Sequence, residues 1–545
     1  MRGGFTGVPS HPRAKGLMQL DYGLIGHPNV SHVRTHPDHM AALGVLLGLD
    51  PVAVEKSRVL EIGCGSGANL IPMAWCFRQS EFVGLDDSPA NTAAGTAAAE
   101  WLDLQNVRFV DGTYADLAAE PGTFDYIIAR GIYSWVDATG QDGLLQLCGR
   151  TLSESGIAYV SYNTYPGWHQ VNALRDAMRY HARDVDNPAG RASSARNFLH
   201  FLAQSDSVQQ GPYQEFIQAY DRFLQQGLLS EGPVGDALIL NNELNRVNQP
   251  LYFHEFIENA GSHGLQYLID ADFSSVTAEN VTAEDKELLL RLSRDTVELE
   301  QYLDFLTNRS YRETLLCRSH RDVRRTLEPA RLHRLLVGLS PGAVLQESGT
   351  PGTFALIDAA GKGIATGDPI TCTALKYLAD IAPRRAGFGD LLIHATAELD
   401  VSEWTERTLA RAGMALAVIL LKAFSCSPGL LRFHTAERSF ASEAGARPRA
   451  LPYARLQARD TGVVTNVWHE RVHLAEFERT LLTLLEGNMT QEELTDALYN
   501  LDPAGTLLRE TGYGAPDSLP PDRVRMEEAV GAALHVLYGS ALMLN

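Results

Sequence analysis

Glu61-Ile62-Gly63-Cys64-Gly65-Ser66-Gly67 sets a carboxylate two residues ahead of three glycines at alternate positions, directly after the apolar run Val59-Leu60. Glycine allows positive φ and a backbone approach with no Cβ in the way, so three within five positions imply a loop lying against a ligand. Two cofactor classes use such a loop. A dinucleotide needs G-x-G-x-x-G/A, and Gly63, Gly65 and Ala68 satisfy that pattern. Its pyrophosphate would rest on the N-terminus of the next helix, where the charge of Glu61 repels it. A carboxylate at 61 suits a cofactor that carries an ammonium and no phosphate, and S-adenosylmethionine is one. Asp86, closing the next apolar run, is placed to accept hydrogen bonds from two ribose hydroxyls, with Asp87 or Ser88 left to cap the helix beyond.

The elements that position these groups alternate. Residues 59–62 read as a strand, 68–78 as a helix, 81–85 as a strand and 88–104 as an Ala-rich helix. Strands at 107–110, 124–129 and 156–162 follow, with a helix at 141–151. Such alternation builds a parallel sheet covered by helices on both faces, with ligands beyond the carboxyl ends of its strands. The site is therefore expected in the loops 61–67, 86, 111–113, 130–135 and 163–169. Upstream, Pro37 opens a helix reaching Leu49, with Met40, Leu43, Leu46 and Leu47 on its apolar face. His32, His36 and His39 have helix-like spacings, but no Cys or carboxylate cluster joins them and no metal is expected.

From 171 to about 248 the pattern is helical, broken at Asn187-Pro188-Ala189-Gly190. A helix at 252–262, a strand at 265–269, one long helix at 283–306 and a strand-like run at 311–317 then follow. This order completes the same sheet if 172–249 is a helical insertion; an independent helical domain is the alternative. The expected division is 1–171 for the cofactor-binding core, 172–249 for the insertion, 250–320 for completion of the sheet and 321–545 for the remainder. Helices are expected there at 370–381, 388–395 and 403–424, a linker at 441–451, and a helix at 475–485. A Glu486-Gly487-Asn488 turn and a Thr490-x-x-Glu493 capping box come next. Short helices about a Gly turn suggest a helix-turn-helix or winged helix. Glu486, Glu492, Glu493 and Asp496 stand where a DNA-reading helix needs Arg or Lys, which favours protein contact.

With 545 residues, two to four domains are expected. Lys and Arg number 46 against 66 Asp and Glu, and the net charge of −20 disfavours general nucleic-acid binding. No run of 18 apolar residues and no N-terminal apolar core of a signal peptide occur, so neither membrane insertion nor export is expected. Six cysteines without C-x-x-C pairing fit a reducing compartment, hence a cytoplasmic location.

Glu61-x-Gly63-x-Gly65-x-Gly67, Asp86 and Phe124-Asp125-Tyr126-Ile127-Ile128 resemble the class I S-adenosylmethionine-dependent methyltransferases. More narrowly, four segments are similar to methyltransferases carrying a methyltransferase regulatory domain: Gly131-Ile132-Tyr133-Ser134-Trp135-Val136, the run 160–168, Leu251-Tyr252-Phe253-His254-Glu255-Phe256 and the run 299–306. That subgroup includes rickettsial-type protein lysine methyltransferases that act on outer-membrane proteins. The resemblance covers about residues 20–320, the C-terminal third being similar in its helical, winged-helix-like character. It implies a Rossmann-like α/β sheet with a helical insertion, S-adenosylmethionine as cofactor, a protein, peptide or small-molecule acceptor, and the insertion as a dimerisation element. Two departures stand out. Asp111-Gly112-Thr113 puts Thr where many such enzymes have an acid for the adenine amino group, leaving that contact to backbone or to Asp111. Arg130 replaces a His common in the subgroup, and its place beside the cofactor's methionine end would let it pair with the carboxylate.

Methyl transfer is an in-line displacement at a sulfonium, so the protein mainly aligns the nucleophile. A lysine amine, with an ordinary pKa of about 10.4, must first lose a proton, which desolvation or a nearby base assists. An aromatic-lined channel desolvates the amine and offers ring faces to cations. Tyr133, Trp135, Tyr165 and Trp168 are the candidates for it, with core packing as the alternative for each. His169 and Tyr22 are candidate proton acceptors. His254 and Glu255 are read as structural or substrate-groove residues. Lysine methylation is the favoured expectation, ahead of transfer to a carboxylate, hydroxyl or amine of a natural product or modified peptide, and of a non-enzymatic module that keeps the fold.

Overall fold

A computed structural model describes residues 30–114, 117, 123–208, 211–225, 233–276, 281–397, 404–443, 445–502, 506–507 and 523–545; Tyr22 lies outside them. Strands β1 (Arg58–Ile62), β2 (Glu81–Asp86), β3 (Val107–Asp111), β4 (Phe124–Ala129) and β5 (Leu152–Asn163) are parallel. β6 (Leu265–Asp270) and β7 (Tyr311–Arg318) join the same sheet in the order β3-β2-β1-β4-β5-β7-β6, with β7 antiparallel to both neighbours. β1 pairs with β2 on one side and β4 on the other, so the chain reverses its direction of winding there. Loops leaving β1 and β4 diverge at that point and open a crevice.

Alternate residues serve the two faces, as period-2 strands require. Val59, Phe82, Tyr126 and Tyr159 belong to one core, and Leu60, Val83, Ile127 and Val160 to the other. The crossover helices are α2 (Leu70–Cys76), α3 (Pro89–Trp101) and α4 (Ala138–Thr151), preceded by α1 (Pro37–Leu46). His36 caps α1 by accepting the Asp38 N–H through Nδ1 (3.0 Å), and Gly48 at φ +85° turns the chain away before Leu49. The expected single apolar face of α1 is too narrow a description. Asp38 is buried as well, with its carboxylate on His434 Nδ1 (2.7 Å), the Thr435 N–H (2.6 Å) and Arg438 (3.0 Å), because the C-terminal third covers this side of the sheet.

The insertion is built from α5 (Trp168–His181), α6 (Pro188–Gln204), α7 (Pro212–Gln225) and α8 (Pro233–Leu238), ending in a π-helical turn, Ile239–Glu243. It has its own core, against which Trp135 and Tyr165 pack. α9 (Phe253–Ser262) returns to the sheet, and a short α10 (Phe273–Val276) follows β6. The single long helix expected at 283–306 is two, α11 (Ala283–Leu292) and α12 (Thr296–Thr307). Asp295 accepts the Glu298 N–H (2.9 Å) and starts α12, an instance of a short carboxylate competing with the helix ladder. Arg312 of β7, fully buried, holds α12 to the sheet through Asp304 (2.8 Å), Glu300 (3.0 Å) and Asp270 (2.7 Å).

Between 321 and 440 the expectation of a mainly helical region missed short strands. Leu336–Leu339 pairs with Ala386–Gly387 and Leu431–His434, and three strands of a meander turn at Gly361. Strands of four residues carry too little period-2 signal to register in a sequence. The helix Glu406–Cys426 is, among the described residues, long and apolar enough to cross a membrane; its buried residues, including Gly413, Leu416, Leu420 and Phe424, recur at helical spacing on the face that packs inward. Beyond it lie helices Glu476–Leu484, Gln491–Leu501 and Arg523–Gly539, with a hairpin of Val463–Thr465 and Arg471–His473 as the wing. The capping box at Thr490 and Glu493 forms in both directions.

Candidate active site

At the end of β1 the chain turns through Gly63, Gly65 and Gly67 at φ +70°, +55° and +81°. A Cβ on Gly63 would stand 2.4 Å from Ile132 Cδ1, so only glycine lets this turn meet the loop after β4. Gly63 and Cys64 donate their N–H groups to the Leu85 carbonyl (2.7 and 3.1 Å), and Gly65 donates to Asp86 Oδ2 (2.8 Å). Asp86 Oδ1 accepts the Ser88 N–H (3.1 Å) and Asn91 Nδ2 (3.0 Å). Asp86 thus ties the glycine loop to α3 while still lining the cleft. Ser88 is the cap of α3, as expected.

The cleft has a volume of about 800 Å³ and is bordered by Glu61, the glycine loop, Asp86, Gly112-Thr113 and Arg130. Asp111 is not among its lining residues and is exposed. It is the last residue of β3, paired in register with Asp86, and the cleft is met instead by the Gly112-Thr113 turn that follows it. Glu61 is buried, with Oε1 accepting Asn69 Nδ2 (2.8 Å) and Oε2 without a partner. Burial pushes its carboxyl up to about 8, opposed by the Asn69 hydrogen bond and Arg130 and reinforced by Asp86. Arg130 Nε is also buried and without a partner.

Asn69, which sequence reasoning passed over, is a junction. Its Oδ1 accepts the His32 N–H (3.0 Å) and His469 Nε2 (2.7 Å), and its Nδ2 donates to Thr35 (3.0 Å) as well as to Glu61. His469 comes from the turn between the two wing strands of the C-terminal domain, 400 positions away in sequence. His32 bonds Glu313 (2.7 Å) and His39 the Ala271 carbonyl (2.7 Å), so the three N-terminal histidines go to three separate partners.

Two of the four aromatic candidates come together. Trp135 and Trp168 meet edge to face at 6.3 Å, and Trp135 lines the cleft. Tyr133 does not reach it. Its ring is buried between Tyr162 (5.9 Å) and Phe256 (5.2 Å), and its hydroxyl accepts Asn259 Nδ2 (3.1 Å). Burial holds that hydroxyl up at about 12. Tyr165 and His169 stack on each other at 4.1 Å beside Tyr252, outside the cleft, and His169 is exposed. Adjacent positions on a helix point about 100° apart, so Trp168 faces the insertion core while His169 faces out. His254 meets Gln301 (3.0 Å) and Glu255 caps α9 through the Tyr252 N–H (2.8 Å), both structural uses.

The cleft's remaining wall comes from the insertion: Asn241, Asn242 and Asn245, from the π-helical turn and the loop after it. The polar run Asn241-Asn242-Glu243, interrupting the apolar stretch Leu238-Ile239-Leu240, was the signal for it. π-Helical turns occur disproportionately at functional sites.

The residues fit an ammonium-bearing nucleoside. Glu61 Oε2 is a buried acceptor lacking a donor, Arg130 Nε a buried donor lacking an acceptor, and the glycine loop, turning through positive φ, puts bare backbone on the cleft wall. Three family models match: a methyltransferase domain at residues 59–156, a predicted methyltransferase regulatory domain at 235–318, and a PKMT C-terminal winged helix domain at 446–542. The uncharacterized protein RP028 of Rickettsia prowazekii is 31% identical over 242 residues, 44% of this chain and 94% of that protein. The chain belongs to the S-adenosylmethionine-dependent methyltransferases with a regulatory domain. A second Rickettsia prowazekii protein, RP789, is 29% identical to this methyltransferase over 500 residues, 90% of this chain and 88% of its own. The structure of PKMT2 from Rickettsia typhi, covering 95% of this chain and 100% of its own at 24% identity, superposes with a TM-score of 0.81. Its complex with AdoHcy gives 0.79. These solved structures share the methyltransferase's fold from the sheet to the winged helix. Its cofactor, S-adenosylmethionine, supplies a methyl group on a sulfonium.

Proposed function

We propose that this methyltransferase acts on the side-chain amine of lysine in a protein or peptide. The observation that carries the reading is Trp135, placed on the cleft wall by the loop after β4 and braced edge to face by Trp168. An indole there excludes water from an incoming amine and offers a ring face to the ammonium and its methylated product. The solved structure of like fold is named PKMT2, and a PKMT winged helix model matches residues 446–542, which supports the same acceptor. In this reading Glu61 takes the cofactor's ammonium, Arg130 its carboxylate, Asp86 the ribose hydroxyls, and Thr113 or the backbone of Gly112 the adenine edge.

Incubation with methyl-labelled cofactor and a lysate of a bacterial proteome, followed by peptide mass spectrometry, should place the label on lysine and leave it there after mild base. Label that mild base releases belongs to a carboxylate ester and ends the lysine assignment. The insertion is proposed to mediate self-association, since Tyr180, Phe201 and Tyr213 stand largely exposed on three of its helices. Sedimentation should show a dimer that the double variant Tyr180→Ser, Phe201→Ser converts to monomer; a wild-type monomer removes the idea.

A further inference from the structure

Beside the cofactor cleft, between the insertion and the loop after β4, lies a second and much smaller cavity of about 20 Å³. Trp135, Trp168, Tyr220, Phe223, Asn242 and Glu243 line it, and Trp135 and Asn242 also line the cleft. A cavity needs roughly 10–15 Å³ to hold one water, so this one takes a single small head group and no ring. Its walls are mostly apolar, aromatic and aliphatic in equal parts, yet two polar atoms among them have no partner. They are Glu243 Oε2 and Trp168 Nε1, on side chains that are 5% and 4% exposed. A buried carboxylate oxygen left unpaired is costly, so Glu243 Oε2 points to a ligand that donates, while the Trp168 N–H is open to an acceptor such as a freed amine lone pair.

The charged and titratable groups facing Glu243 are Tyr220 of α7, whose hydroxyl shares a hydrogen bond with its carboxyl, and Arg175 of α5. Arg175 is committed elsewhere. It donates to the carbonyls of Asn242 (3.1 Å) and Asn245 (2.9 Å), and its guanidinium lies 5.7 Å from each indole centroid. Burial pushes the Glu243 carboxyl up, against the pull of Arg175 and the Tyr220 hydrogen bond. A carboxylate raised in this way is a stronger base than one in water.

We propose that this cavity is the acceptor subsite, taking the ammonium of an aliphatic primary amine beside the paired indoles, with Glu243 as the group that receives its proton. It rests on the lysine reading above and deepens it. The ammonium proton passes to the Glu243 carboxylate. The freed nitrogen lone pair then forms the N–C bond to the methyl carbon as the C–S bond breaks and its electron pair stays on sulfur. Positive charge moves from sulfur to nitrogen, leaving a methylammonium beside the indoles and Glu243.

The direct test titrates n-butylammonium into the full chain with S-adenosylhomocysteine bound, following tryptophan fluorescence. Wild type should show saturable quenching. Glu243→Gln should weaken it at least tenfold, with the Kd for S-adenosylhomocysteine kept within twofold. Absence of saturation, or equal affinity in the variant, overturns the subsite. Should Glu243→Gln fail to fold, two wild-type-like measurements decide. Tyr220→Phe should change butylammonium affinity severalfold, and in wild type that affinity should fall as pH drops through the raised Glu243 titration; no change in either overturns it. Failure of the lysine reading looks different: butylammonium still binds through Glu243, yet no label appears on lysine. Conversely, lysine methylation by Glu243→Gln at the wild-type rate from pH 6.5 to 9 leaves the reading intact and removes the subsite.

Discussion

Glu61 combines burial, one hydrogen bond and one unpaired oxygen, so its protonation is set by what binds it. With its carboxyl raised to about 8, the free protein carries it protonated at neutral pH. Relative to an unfolded chain, where a Glu ionises near 4.5, the folded state then holds the extra proton between about 4.5 and 8. The sign follows: this group's contribution to stability is complete at low pH and declines as pH rises through that window. An ammonium ligand inverts the preference and expels the proton. Affinity for S-adenosylhomocysteine should therefore rise by up to about tenfold per unit between pH 6 and 7.5, with proton release seen by calorimetry in buffers of different ionisation enthalpy. Glu61→Gln should abolish that dependence. The two tryptophans divide differently. Trp135→Ala should lower kcat by ten to a hundredfold with little change in cofactor affinity. Trp168→Ala, emptying a buried site in the insertion core, should cost about 3–5 kcal/mol in urea unfolding besides its effect on turnover. Equal losses of turnover and cofactor affinity on changing Trp135 would assign it to packing.

At the level of elements, the sheet was readable because its strands are apolar runs ended by glycine or acid, and the same pattern located the loops of the cleft. Glu61, Asp86 and Arg130 sit on the cleft because a strand's carboxyl end fixes where its next residue emerges. What the sequence could not show was rotation about each loop. Tyr133 lies two residues from Trp135 and points into the core; His169 lies one residue from Trp168 and points to solvent. The contribution of the insertion was equally hidden, since Asn241 to Asn245 reach the cleft by tertiary packing. Elements are also coupled at β7, where Arg312 satisfies three acids at once. Arg312→Leu should destabilise by roughly 3–5 kcal/mol, because it strands buried carboxylates without a cation, and the loss should shrink as pH falls and Asp270 and Glu300, both raised by burial, take protons. A urea midpoint unchanged at pH 7 would show the network to be dispensable.

Across the whole molecule, one hydrophobic core runs from the sheet through α1 and α2 into the winged helix. The wing delivers His469 to Asn69, which in turn orients Glu61. Burial and the nearby Arg438 keep His469 neutral, so its Nε2–H is a fixed donor. His469→Ala should weaken S-adenosylhomocysteine binding several-fold while leaving the melting temperature of the sheet core within a few degrees; an unaltered Kd would detach the wing from the cofactor. The acidic winged helix thus has a place in the catalytic body and no need of DNA to account for it.

The Asn69 junction also bears on how the protein comes into being. A ribosome that has finished the entire sheet has still not translated the residue that completes the hydrogen bonds around Glu61, because His469 emerges 400 positions after Asn69. Chains terminated before the wing would consequently lack the Asn69–His469 bond and hold the methyl donor poorly.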